Sequence, residues 1–223
     1  MTFERIFADV AAWLESRGIS PAIQKRKPAS AADVAHFTKR TGLKLPATFS
    51  KFFTEFSNGY EFWWERADGS WGLFRMPTVS ELAKEQRAWH ENVTELGTPD
   101  SFQDEELADK GMRIWKRMRY WVPFWNEGNG DHFAVDTRTG KIVYDQFCWY
   151  GNDERVINGI NAGKDLTDFV GKWSRYCFRR VKSQWWAEFA EVGRINWDGV
   201  CFDPEFTRTE GRTNRSTERR GAR

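Results

Sequence analysis

Tyr120-Trp-Val-Pro-Phe-Trp-Asn-Glu-Gly-Asn-Gly-Asp131, continued by His132-Phe-Ala-Val-Asp136 and Gly140-Lys-Ile-Val-Tyr144, reads as three strands joined by two turns. Gly128 and Gly130 permit positive φ where a Cβ would strain, and Asn129 tolerates it. Asp131 and Asp136 fall at strand edges, where carboxylates accept from turn amides. The stretch predicts an antiparallel meander, with Phe133 and Val135 on one face and His132, Ala134 and Asp136 on the other.

Working upstream, Leu45-Pro46 opens the cleanest helical pattern of the chain. Pro46 suits a first helical position, and Phe49, Phe52, Phe53 and Phe56 fall at i, i+3, i+4 and i+7 before Asn58-Gly59 ends the run. Residues 60–65 and 71–76 read as aromatic strands around the Asp68-Gly69 turn. Leu82, Gln86, Trp89, Val93 and Leu96 predict a helix over about 79–96. Two helices precede these elements. The first is marked by Phe3, Ile6, Phe7, Val10 and Leu14 and stops at Gly18. The second starts at the N-cap Ser30 and stops at Gly42, after a polar link through Pro21 and Lys25. Downstream, Leu166, Phe169, Val170, Trp173 and Cys177 predict a late helix, and Val181, Trp185, Phe189 and Val192 continue the pattern.

Strands follow strands instead of alternating with helices. The expected fold class is therefore α+β, a mainly antiparallel twisted sheet with helices packed against it, in one domain over 1–206. Residues 97–111 form an acidic insertion, a loop or short helix on the surface, and 207–223 lack any apolar pattern and are expected to be disordered.

Composition narrows the function. Hydrophobic residues make up 40% and charged residues 30%, as in a globular chain. The net charge of +2 hides an asymmetry: 207–223 hold six arginines and two glutamates, hence +4, leaving −2 on the rest. Such a body does not announce a nucleic-acid binder, and weak phosphate contacts are the most the arginine-rich tail offers. No apolar run approaches the ~18 residues of a membrane span, and the acidic N-terminus reads as a helix instead of a signal peptide. Three cysteines, Cys148, Cys177 and Cys201, have no paired spacing and fit a reducing cytoplasm.

Reactive constellations are scarce. The three histidines, His36, His90 and His132, sit in no Ser-His or Cys-His arrangement, and neither a zinc-binding His-Glu-x-x-His, a phosphate-binding glycine loop nor a dinucleotide fingerprint occurs. Glu127, Asp131, His132 and Asp136 are the best enzymatic or metal-ligating candidates, against the plainer reading that the two aspartates satisfy turn amides. The hairpin offers a different site. Alternation sends Phe62 and Trp64 to one side and Trp63 to the other, so an exposed tryptophan is available for stacking unless helices cover both faces. The acidic residues Asp104, Glu105 and Glu106 suit a basic partner or a solvated loop.

The order of Leu45-Pro46, the Phe49, Phe52 and Phe53 helix, Asn58-Gly59, the Gly130-Asp131 pair, Asp136 and the closing strand at 141–144 resembles the SUKH superfamily (SMI/KNR-type domains). This family includes the fungal cell-wall assembly regulator and many bacterial immunity proteins. The resemblance covers about 30–180; the long insertion and the segment after Val181 depart from it. It implies a cytoplasmic, non-catalytic protein without cofactor or metal that binds a cognate toxin and blocks it sterically, or else a regulatory scaffold. The expected partner surface combines Trp63, Trp64 and Trp71 with Asp104, Glu105, Glu106, Glu127 and Asp131.

Overall fold

The computed structural model describes residues 2–95, 105–126, 131–145, 159–179, 190–191 and 194–197. Helix α1 (Phe3–Glu15) starts at Thr2, whose hydroxyl accepts from the Arg5 amide, and buries Phe3, Ile6, Phe7, Val10 and Leu14. Helix α2 (Ala31–Thr41) opens with a reciprocal box in which Ser30 and Asp33 each accept the other's amide, and it closes on Gly42 at φ +70°. The hydrogen bonds from Ser30 hold the Asp33 carboxyl below the usual carboxylate range.

The polar link between these helices is a strand. β1 (Ala22–Lys25) pairs antiparallel with β2 (Tyr60–Glu65), which pairs with β3 (Trp71–Met76) in the predicted hairpin. All four residues of β1 are exposed, so burial never selected a hydrophobic alternation that a sequence reading would catch.

The phenylalanine segment keeps its predicted face but changes helix type. Pro46 caps α3 (Ala47–Lys51) from one residue before the helix, and residues Phe52–Phe56 continue as a π-helical turn. The cause is a competition for one carbonyl. An α-helix would send the Ser57 amide to Phe53, but the Phe53 oxygen is taken by the Ala29 amide at 2.7 Å, and Ser57 donates to Phe52 instead at 2.8 Å. The Ser57 hydroxyl, fully buried, then accepts from the Arg26 amide and donates to the Gly59 carbonyl, locking β1 to the turn.

Asn58-Gly59 joins the hairpin to α4 (Val79–Glu95). The Asn58 side chain accepts from the Val79 amide at 2.9 Å, while Thr78 and Glu81 form a second reciprocal cap. Gly59 stands at φ +100°, where an added Cβ would meet Thr78 Cγ2 at 2.9 Å.

The predicted acidic insertion is in its second half a helix. α5 (Glu105–Met118) carries Ile114 and Trp115 toward α4, and the Trp115 indole donates to the Val93 carbonyl. It leads into the meander of β4 (Trp121–Asn126), β5 (His132–Asp136) and β6 (Ile142–Asp145). β7 (Ile160–Gly163), which the sequence reading lacked, extends it antiparallel; α6 (Leu166–Ser174) follows, and the two-residue strands β8 (Ala190–Glu191) and β9 (Arg194–Ile195) close it. β9 runs parallel to β7.

The fold class is α+β and mainly antiparallel, but the strands divide into two sheets, β1-β2-β3 and β4-β5-β6-β7-β9-β8. One hydrophobic cluster runs from Phe3 to Trp197 through α1, the π turn, α6 and the inner faces of both sheets. A smaller cluster of Trp89, Val93, Met118, Trp121, Ala134 and Val143 fills the space between α4, α5 and the other face of the meander. The predicted late helix ends at Ser174; Val181, Trp185, Phe189, Val192 and the arginine-rich tail lie outside the described residues.

Candidate functional site

The two faces of the meander are both occupied, and this decides the fate of its polar residues. Asp131 is 2% exposed and accepts the Tyr144 hydroxyl at 2.5 Å, on the side where the Tyr144 ring packs against Phe133. His132 lies on the other side, with its ring 5.4 Å from Trp89 and its Nε2 3.1 Å from the Asn126 amide. Asp136 is buried too. It accepts from the Arg138 amide at 3.0 Å, as a turn aspartate should, and forms an ion pair with Arg117 at 3.0 Å. The expected neighbours on one face therefore have separate partners. Among the described residues no three His, Cys, Asp or Glu side chains come together to hold a metal.

A carboxylate that the sequence reading passed over joins this region. Asp145, at the end of β6, is buried, and burial together with repulsion from Asp131 holds its carboxyl well above the usual carboxylate range. Its only sequence signal was its place at the end of an apolar strand, which is no signal at all.

The hairpin behaves differently. Register places Ala22, Trp63 and Leu73 side by side across β1, β2 and β3, with Gln24, Glu61 and Arg75 in the next row. Glu65 and Trp71 complete this face toward the turn. Trp63 is 43% exposed at its centre, among partly or fully exposed polar and apolar neighbours. No helix among the described residues covers it, so of the two readings of the hairpin the exposed tryptophan is the one these residues favour. The opposite face, Tyr60, Phe62, Trp64, Phe74 and Met76, is core.

Of the eight residues expected on a partner surface, Trp63 lies exposed on this face and Trp71 is half-buried at its edge. Trp64 must be withdrawn. It is fully buried and its indole donates to the Cys177 carbonyl at 2.7 Å, because alternation turns it to the core. Asp131 is withdrawn for the same reason, since its carboxylate is spent inside on Tyr144. Glu105 and Glu106 lie in the first turn of α5, while Asp104 and Glu127 lie outside the described residues. Glu61, Leu73 and Arg75 belong to the exposed face and were missed, although stepping two residues from Trp63 and crossing to its partner strand reaches all three.

No helix among the described residues is long and apolar enough to cross a membrane. A comparison with curated proteins finds no match. Residues 28–172 match the SMI1 / KNR4 family (SUKH-1), a span that begins just before α2 and ends within α6. It takes in the Leu45-Pro46 step, the π turn, the Asn58-Gly59 cap, the hairpin and the meander with Asp131 and Asp136. With those elements in that order and the match covering well over half of its length, the chain belongs to the SMI1 / KNR4 (SUKH-1) family.

Proposed function

We propose that this protein is a non-catalytic binding module that holds a protein partner on the outer face of β1-β2-β3, and that the partner is a cognate toxin domain neutralised by steric block. The observation that carries the reading is Trp63, a large aromatic 43% exposed at the centre of a sheet face with Glu61, Glu65 and Arg75 around it. Interface energy concentrates in aromatic anchors ringed by polar groups, and a steric inhibitor needs such an anchor and slow dissociation instead of reactive groups. The immunity role follows from the work usual in bacterial members of the family. The meander carboxylates support it indirectly, because Asp131 and Asp136 bind the Tyr144 hydroxyl, the Arg138 amide and Arg117 within the fold.

The test uses the full chain and a candidate toxin domain taken from its gene neighbourhood. In calorimetry, Trp63→Ala is expected to weaken binding by about 2 kcal/mol, roughly thirtyfold. Its thermal midpoint should stay near that of the wild type, because a side chain this exposed contributes little to the core. Co-expression is expected to rescue growth from the toxin with the wild type and poorly with the variant. Unchanged affinity for Trp63→Ala would sink the surface, and full rescue by a protein that binds no toxin would sink the mechanism.

A further inference from the structure

Away from that face, the last turn of α2 and the middle of α4 flank a recess of about 250 Å³. Arg40 enters it from α2, Arg87 and His90 from α4, and Arg119 from the link into β4. Glu91 is the single carboxylate of the lining, so three guanidiniums face one negative charge. Neither Arg40 nor Arg87 has an ion pair among the described residues, and Arg119 lies 4.8 Å over the Tyr120 ring, a contact that leaves its charge uncompensated. Arg40 and Arg119 would each be accounted for by a carbonyl end, of α2 and of α5, but Arg87 lies in the middle of α4 at no such end.

The floor gives a second and independent sign. Gln86 lines the recess, is 4% exposed, and among the described residues its amide has no hydrogen-bond partner. Its amide atoms are not sealed from solvent, so an otherwise interior position of α4 presents a donor and an acceptor to the recess. The Thr41 hydroxyl is already committed, donating to the Phe37 carbonyl and accepting from the Leu43 amide, so the donors on offer are the guanidiniums, the His90 ring and Gln86.

We propose that this recess binds the phosphate of a small phosphomonoester. Three guanidiniums present more forked donors than the two oxygens of a carboxylate can use, whereas a phosphate brings about two charges and three terminal oxygens. Gln86 supplies a neutral donor at the closed end, and the volume suits a small molecule.

The experiment is calorimetry of the full chain at low ionic strength with ribose 5-phosphate, inorganic phosphate and a phosphoserine peptide as probes. Ribose 5-phosphate is expected to saturate one site per chain, with inorganic phosphate weaker at the same site. Arg40→Ala with Arg87→Ala, both exposed, should weaken it at least about tenfold. Gln86→Leu should weaken it several-fold while leaving the thermal midpoint near that of the wild type. Lys51→Ala with Lys164→Ala removes the same charge elsewhere and should keep affinity within about twofold. Failure to saturate, an equal loss in the lysine control, or binding of the phosphoserine peptide in preference to ribose 5-phosphate would each overturn the proposal.

Discussion

Gly72→Ala is expected to unfold the protein or bring it close to unfolding, although Gly72 has an ordinary strand conformation. The obstruction is space. Gly72 stands directly opposite Trp64 across β2 and β3, and the indole lies over it to reach the Cys177 carbonyl at 2.7 Å. An added Cβ would stand 2.3 Å from Trp64 Nε1 and 2.7 Å from the Cys177 oxygen. Neither neighbour can withdraw freely. Trp64 is fully buried, and Cys177 and Phe178 form a left-handed turn, at φ +53° and +56°, that residues with a Cβ seldom adopt. That turn is held by the Leu73 amide on the Phe178 carbonyl and by Phe178 packing among Phe7, Phe62, Phe74 and Trp173. Overpacking at a yielding site costs about 1–3 kcal/mol; here the movement would break a buried hydrogen bond as well, so a loss of about 3 kcal/mol or more is expected out of a typical 5–15. Urea unfolding measures it. Gly171→Ala is the control: an added Cβ there meets nothing within 4 Å inside α6, and a gain of roughly 0.5–1 kcal/mol is expected. Similar midpoints for the two variants would show that the indole does not need the empty space over Gly72.

The contrast between those two glycines marks what a sequence reading reaches. Periodicity found α1, α2, α4 and the hairpin because each has one apolar face that imposes its period on the residues, while the meander, interior on both faces, showed as apolar runs between turns. The same logic separated Trp63 from Trp64. What stayed hidden depends on distant partners. β1 is exposed along its whole length and exists because β2 offers it an edge and Ser57 fastens its end. The π turn depends on the Ala29 amide, far back in the chain, taking one carbonyl. β7 is only four residues long, and Gly163 must approach Phe169 too closely for any side chain, so it leaves a glycine where a strand pattern would want a bulky residue.

For the candidate site the limit lies in the third dimension. Alternation predicted which side His132 and Asp136 take, but only the packing of α4 and α5 shows that this side is also interior. An expected outward face thus becomes a second small core, and the aspartates that looked available are consumed by Tyr144, Arg117 and the Arg138 amide. The phosphate-sized recess was beyond reach for the same reason. Its arginines come from three elements and share no spacing, while Gln86 had been read only as one position of a helical stripe.

Asp145 turns this burial into a measurable pH dependence. Desolvation and the repulsion of Asp131 raise its folded-state pKa well above the ordinary 3.8 that it recovers when unfolded. Between those two values the native protein binds a proton that the unfolded chain has released, so native stability falls as pH rises across that window and levels off above the folded pKa. Each unit of the rise removes about 1.4 kcal/mol. Asp145→Asn keeps the shape and cannot ionise. At pH values near or below about 4 the variant and the wild type are expected to be nearly equally stable, since both side chains are then neutral. Toward neutral pH the variant should become progressively the more stable, by several degrees in thermal midpoint. Unfolding in urea at a series of pH values measures the separation directly. A constant gap from about pH 4 to pH 8 would show that Asp145 titrates alike in both states and that its burial exerts no electrostatic penalty. A growing gap would assign to the end of β6 a destabilising charge that the fold tolerates beside the Asp131–Tyr144 hydrogen bond. Tyr144→Phe then separates the two carboxylates. It removes the hydrogen bond to Asp131 while leaving Asp145 able to titrate, so it should lower stability, yet Asp145→Asn made in its background should still open a gap that grows toward neutral pH.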